Sequence, residues 1–354
     1  MTSRRARNTR MARTTTLTMA ALLAATSCSL VGSGDDNAAN EDTVVLLTHS
    51  DFVLPDEVVA QFEKASGYSL EIRPSDGVGD LVNLVVDESG KPSGDVVFGV
   101  DNTFGSRVLG SGALSPYDGA LPPGIERFAL PGDDDGALVP VDSANVCVNV
   151  DDTWFAEQGI APPTGLDDLT DPTYEGMFVT PSASQSSPGM AFLLTTIAAY
   201  GDDWPAYWSD LLANDIKIVA DWSEAYYGAF TQGEGDRPIV LSYDSSPAFT
   251  VKNGVTSTSA LLDTCYEQVE YAGVLAGAGN TDGAEQLVDF LVGPEVQQVL
   301  PESMYVFPVV DGTALPADWE RFAKRPTEAF EVDPADVEAN REDWLLEWTD
   351  LISR

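Results

Sequence analysis

Trp222 and Tyr243 are the side chains of this sequence best placed to hold a small molecule. Trp222 stands in Ala220-Asp221-Trp222-Ser223-Glu224-Ala225-Tyr226-Tyr227, just after the apolar stretch Ile216–Ala220. Tyr243 ends the run Ile239-Val240-Leu241-Ser242-Tyr243, before Asp244-Ser245-Ser246-Pro247-Ala248-Phe249. Rings at strand ends with carboxylates beside them suit a flat or cationic ligand, since a π-face attracts a cation by about 0.5–2 kcal/mol. Core packing is the alternative for either ring taken singly. Catalysis has less to work with. The chain contains no G-x-S-x-G elbow, no H-E-x-x-H and no Walker loop, and its one histidine is His49. Gly77-Val78-Gly79 lacks the third glycine and the strand context of a dinucleotide loop. We expect a binding protein without a cofactor, not an enzyme.

These residues need a scaffold, and the pattern predicts an α/β one, because short apolar strands alternate with helical stretches. Val44–Thr48 reads as a strand and Pro55–Ala65 as a helix stopped by Gly67. Ser69–Arg73 is the next strand, Gly79–Asp87 a helix, and Asp95–Gly99 a buried strand running into a polar loop from Val100 to Thr103. Leu138–Val141 and Asn145–Val150 read as two extended segments crossing to a second domain. That domain holds the strand Met177–Thr180, the loop Pro181–Gly189, a helix from Met190 to Tyr200, and the strands ending at Ala220 and Ser242. Cys265–Ala272 returns the chain. A helical stretch over Thr281–Leu300 follows, and Asp333 caps a last helix whose Trp344, Leu345, Trp348 and Leu351 form a core-facing stripe.

Bulk properties narrow the partners. The 354 residues carry 57 acidic against 18 basic side chains, a net charge of −39, which excludes nucleic acid as a partner. Hydrophobic residues make up 44% and charged residues 21%, as in a globular chain long enough for two domains. Arg4, Arg5, Arg7, Arg10 and Arg13 precede a short apolar stretch from Leu17 to Ala25, as in an export signal. Ala25-Thr26-Ser27-Cys28 resembles the cleavage box of bacterial lipoproteins, which implies a lipidated Cys28 and a membrane anchor. Residues 29–42 are rich in Ser, Gly, Asp and Asn and read as a flexible tether. No later segment is apolar for long enough to span a bilayer. Cys147 and Cys265 then remain, either as a disulfide suited to an oxidising compartment or as two buried thiols.

From Val44 to the C-terminus, the order of segments resembles the thiamine-binding family of extracytoplasmic solute-binding proteins of ABC importers. The resemblance rests on Thr48-His49-Ser50-Asp51-Phe52, Ser75-Asp76-Gly77-Val78 and Gly94-Asp95-Val96-Val97-Phe98-Gly99. It continues in Ser186-Ser187-Pro188-Gly189, Trp222-Ser223-Glu224-Ala225-Tyr226, Leu241-Ser242-Tyr243 with Ser246-Pro247-Ala248, and Tyr305-Val306-Phe307-Pro308. It implies a type II periplasmic-binding-protein fold with the ligand between two lobes: 43–143 with 273–354, and 144–272. It implies that Trp222 and Tyr243 pack on thiamine's rings, that Asp76 lies near its polar or cationic groups, and that Ser187 and Gly189 meet its hydroxyl or phosphate end. His49, Phe249 and Tyr305 stand where the family often has Tyr, Tyr and Trp, and are expected at the ligand as ring faces. The implied partners are thiamine or a thiamine phosphate and a membrane permease, with the protein a monomer. A ferric-ion binder or a binder of another small organic solute is the alternative. Tyr226-Tyr227 and His49 suit iron by type, but the tyrosine pair precedes the strand it would have to follow.

Overall fold

The computed structural model of the chain describes residues 42–354. The signal segment, Cys28 and all of the tether but Asp42 lie outside the described residues.

The fold begins with β1 (Thr43–His49), whose side chains alternate between two cores: Val44 and Leu46 face one, Leu47 the other. α1 (Asp56–Ser66) has acidic residues in its first turn and Lys64 in its last, as the helix dipole favours, and stops where Gly67 turns left-handed at φ 81°. β2 (Ser69–Ser75) and α2 (Val78–Asp87) lead to β3 (Val96–Asp101), buried along its whole length. A short α3 (Gly105–Ser111) precedes β4 (Val139–Asp151), a strand of 13 buried residues. α4 (Asp152–Gln158) is capped by the Asp151 side chain. Next come β5 (Phe178–Pro181), α5 (Ser187–Tyr200), α6 (Trp204–Ala213) and β6 (Lys217–Val219). A π-helical turn over Glu224–Ala229 separates β6 from β7 (Ile239–Tyr243), β8 (Thr258–Ala260) and β9 (Tyr266–Val274). α7 (Thr281–Leu291), α8 (Pro294–Gln297), α9 (Leu300–Ser303), β10 (Phe307–Pro308), α10 (Ala317–Phe322) and α11 (Pro334–Ile352) complete the chain.

The ten strands share one sheet in the order β2-β1-β3-β9-β4-β7-β5-β6, with β8 and β10 also on β4. β2, β1 and β3 are parallel, as are β7, β5 and β6, while β9 and β4 pair antiparallel between the two blocks. Two parallel blocks joined by two long strands make the two-lobed α/β arrangement, with strand ends facing each other across the join. Cys147 of β4 and Cys265, just ahead of β9, are bonded to each other with Cα atoms 4.2 Å apart. The bridge fastens the two joining strands.

Several expected boundaries shift, each for a local reason. The two crossing segments are one strand, because Asp142 and Ser143 pair with β9 and β10 instead of turning out to solvent. The polar loop expected from Val100 is still β3, with Asp101 buried. Ser187 and Gly189 lie in the first turn of α5 and not in a loop; Pro188 fits there because a first-turn N–H has no intrahelical partner to lose. The stretch Thr281–Leu300 breaks into pieces at Gly293-Pro294. The stripe of α11 is graded: Trp348 is fully buried, edge-on to Trp208 of α6, while Trp344, Leu345 and Leu351 are partly buried. α11 also touches α3, so it reaches segments expected in both lobes.

Candidate functional site

A cavity of about 580 Å³ opens between the facing strand ends. β1 delivers His49, β7 delivers Tyr243, β9 delivers Gln268 and Glu270, and the turn after β6 delivers Asp221, Trp222 and Ser223. Ser187 enters from the start of α5 and Tyr305 from the turn before β10.

Trp222 anchors the aromatic wall. Its Nε1 donates to Ser242 Oγ at 2.9 Å, and its ring stacks on Tyr226 at 5.0 Å and 16°. Tyr243 and Tyr305 stand 6.0 and 5.9 Å from it, and Tyr227 meets it edge-on at 5.4 Å. Tyr305 has φ 63°, a left-handed conformation that costs a bulky residue energy and that its surroundings must enforce. Ser245 Oγ donates to the Tyr305 carbonyl at 2.6 Å, and Phe249 braces the ring edge-on.

The facing side is acidic. His49 Nε2 lies 3.2 Å from Glu270 Oε1, in ion-pair range though not in good hydrogen-bond alignment. Burial alone would strip the proton from His49, but Glu270, with Asp51 and Asp101 farther off, outweighs it and raises the pKa above the usual histidine value. Gly99 makes this position possible: it is left-handed at φ +93°, and a Cβ there would sit 2.2 Å from His49 Cδ2. Behind Glu270, Asp142 is its neighbour on the β4–β9 ladder; burial first, then the Glu270 charge, pushes the Asp142 carboxyl well above the usual range. Asp101 is raised to about 6 by burial, against hydrogen bonds from Thr103 that favour its charged form.

Three contacts span the mouth. Ser223 Oγ donates to Asp51 Oδ1 at 2.5 Å, and the hydroxyls of Tyr227 and Tyr305 are 3.2 Å apart. The third is backbone: Gly79 N–H donates to the Gln185 carbonyl at 3.4 Å. A Cβ on Gly77 would fall 2.6 Å from Gln185 O, and one on Gly79 2.4 Å from Ser184 O. The glycines of Gly77-Val78-Gly79 thus let the start of α2 lie against the loop before α5.

Of the residues singled out from sequence, His49, Ser187, Trp222, Tyr243 and Tyr305 line the cavity together. Asp76 does not; it is exposed in an adjoining recess of about 370 Å³ that shares Ser50, Gly77, Gln185 and Asp221 with the main cavity. Phe249 lies in a third chamber behind Tyr305. Gly189 touches neither, and its missing side chain instead lets the backbone of Ser182 approach: a Cβ would be 2.3 Å from that carbonyl oxygen. Asp51, Asp221, Ser223 and Glu270 also line the cavity, none of them expected there, and Tyr227, considered above only for iron, joins them. Glu270 stands two residues from Gln268 and so shares its face of β9, but Glu267 on the opposite face is polar too, so no alternation marks that face in the sequence.

Residues 91–330 match the family model described as bacterial extracellular solute-binding protein. A thiamine-binding periplasmic protein of Brucella suis is 30% identical over 331 residues, covering 90% of this chain and 94% of that one. Among solved structures, a periplasmic thiamin-binding protein superposes with a TM-score of 0.77 at 28% identity, over 88% of this chain and 96% of that one. A ferric-binding protein from Campylobacter jejuni superposes with a TM-score of 0.68 at 14% identity, over 87% and 99%, and so shares the fold. By sequence and fold, this chain belongs to the bacterial extracellular solute-binding proteins, in the branch of the thiamine-binding periplasmic proteins.

Proposed function

We propose that this protein captures thiamine, free or as a phosphate ester, in the cleft between its lobes and delivers it unchanged to an ABC-importer permease. One observation carries the reading: the Trp222, Tyr243 and Tyr305 rings line a single cavity together with Asp51, Asp221 and Glu270. Thiamine is a permanent thiazolium cation joined to an aminopyrimidine, so aromatic faces and carboxylates are what it rewards. The relatives' names support the ligand, and the fold supports closure of two lobes by hinge motion. Iron is the weaker reading, because the ferric-binding protein shares only the fold, at 14% identity, while the thiamine-binding relative is 30% identical over 90% of this chain. In this reading the lobes are 43–143 with 273–354, and 144–272. The protein works as a monomer on the outer face of the cell membrane, tethered through lipidated Cys28.

Calorimetric titration of the ligand-stripped mature protein tests the ligand. We expect one-to-one binding of thiamine and no heat with ferric citrate; no heat with thiamine or its phosphates refutes the assignment. Fatty-acid labelling that persists in Cys28→Ser would refute the anchor.

A further inference from the structure

The cavity proposed to receive an organic cation already holds a basic side chain of its own. His49 is buried at its wall, with Nε2 3.2 Å from Glu270 Oε1. No lysine or arginine lines this cavity, so the imidazole is its single base. The ring's place is built by its neighbours. It lies flush against the bare Cα of Gly99 on β3, where a Cβ would collide with it, and the Phe98 ring stands 6.2 Å away. Every charged group around it is acidic. Glu270 faces it from β9, Asp51 from the turn after β1 and Asp101 from β3, while Asp142 of β4 is buried behind Glu270. The other charged residues lining the cavity, Asp221 and Glu302, are acids too. Tyr243 of β7 stays neutral, since burial first and the Glu270 charge next push its phenol up. Burial favours the neutral imidazole, but Glu270, Asp51 and Asp101 outweigh it and keep the ring's proton on.

A permanent cation entering this space meets a carboxylate that already has a counter-ion. The cavity holds about 580 Å³, so two positive charges in it stand close together. A charge within about 4–6 Å moves a titration by about one unit or more. The charge of a thiazolium is fixed by its covalent structure, whereas that of an imidazolium is not. The N–H bond of His49 can break, its electron pair staying on the ring and its proton passing to solvent.

We infer that His49 is an exchangeable counter-ion of Glu270, and that capture of the organic cation expels the His49 proton into solvent. This rests on the proposed ligand and adds control of the same site by pH: acid holds the proton on His49 and weakens capture.

The test is calorimetric titration of the mature protein with thiamine, at matched pH in buffers of unlike ionisation heat, which counts the protons exchanged. A range of about pH 6.5 to 8 spans the upper titration of His49 and lies above that of the ligand's own pyrimidine ring. We expect about half a proton or more released per thiamine near pH 7, and a Kd that falls about 3–10-fold from pH 6.5 to 8. His49→Gln should remove both effects while still binding thiamine, and Asp142→Asn should keep both, with circular dichroism checking each fold. Thiamine binding without proton release overturns the inference and leaves the thiamine reading intact. Release that persists in His49→Gln, or that disappears in Asp142→Asn, also overturns it by assigning the proton to the buried carboxyls. Should His49→Gln fail to fold, a flat pH profile in the wild type is enough to overturn it. Absence of any heat with thiamine overturns both readings together.

Discussion

Trp222 is held on three sides: Ser242 takes its Nε1 hydrogen, Tyr226 backs one face, and Tyr227 closes an edge. A ring fixed before the ligand arrives loses little freedom on binding, so most of its contact energy reaches affinity. We expect Trp222→Ala to cost about 1–3 kcal/mol of thiamine binding, read by calorimetry, with Trp222→Phe intermediate. Unchanged affinity in the alanine variant would remove Trp222 from the site. Its type and place at a strand end made it legible in the sequence. Glu270 was not: its sequence neighbours say nothing of His49, more than two hundred positions earlier, which only the β1–β3–β9 pairing brings to it.

At the scale of elements, the mouth of the cleft is where α2, α5 and the turn after β6 meet. Asp51 and Ser223 are 172 positions apart, and their bond ties the turn after β1 to the turn after β6. A bond across the mouth opposes separation of the segments it joins. We expect Ser223→Ala to speed release of bound thiamine several-fold, with a much smaller effect on association, and Ser223→Thr to restore slow release; a buried or charged partner in such a bond typically contributes about 1–3 kcal/mol. Stopped-flow tryptophan fluorescence reads both rates, and equal release from wild type and Ser223→Ala would dismiss the contact. Most strands and helices were visible as periodic runs. Their ends were not, because α5 and the breaks after α7 are set by proline and glycine geometry that a hydrophobic pattern does not report.

The whole molecule should be more stable in mild acid than in base. Asp101 and Asp244 are both raised by burial to about 6, and His49 is raised above its usual value, so all three bind protons more readily folded than unfolded. The stability each carboxyl contributes is present below its unfolded pKa of 3.8 and is lost as pH rises through about 6. That of His49 is present below 6.5 and is lost above it. A rise from 3.8 to about 6 is on the order of 3 kcal/mol per carboxyl, and the net charge of −39 adds repulsion of the same sign at high pH. A melting temperature higher at pH 5 than at pH 8 is the expected result, and a flat or reversed profile would contradict it. The Cys147–Cys265 bridge closes a separation of 118 residues, so reduction, or Cys147→Ser/Cys265→Ser, should lower unfolding free energy by about 2–5 kcal/mol in urea titrations. Equal stability of oxidised and reduced protein would count against the bridge.

The sequence by itself determined the α/β class, the aromatic character of the site and the acidity of the surface, since all three follow from local runs, residue types and composition. Tertiary structure alone decided which acids line the main cavity. It places Asp51, Asp221 and Glu270 there and Asp76 in the recess beside it, with Gly189 admitting a backbone carbonyl and Phe249 bracing Tyr305. The physical reason is distance along the chain. Hydrophobic period and capping act over a few residues, whereas burial and charge at the cleft depend on groups that the sheet order brings together from both ends of the sequence.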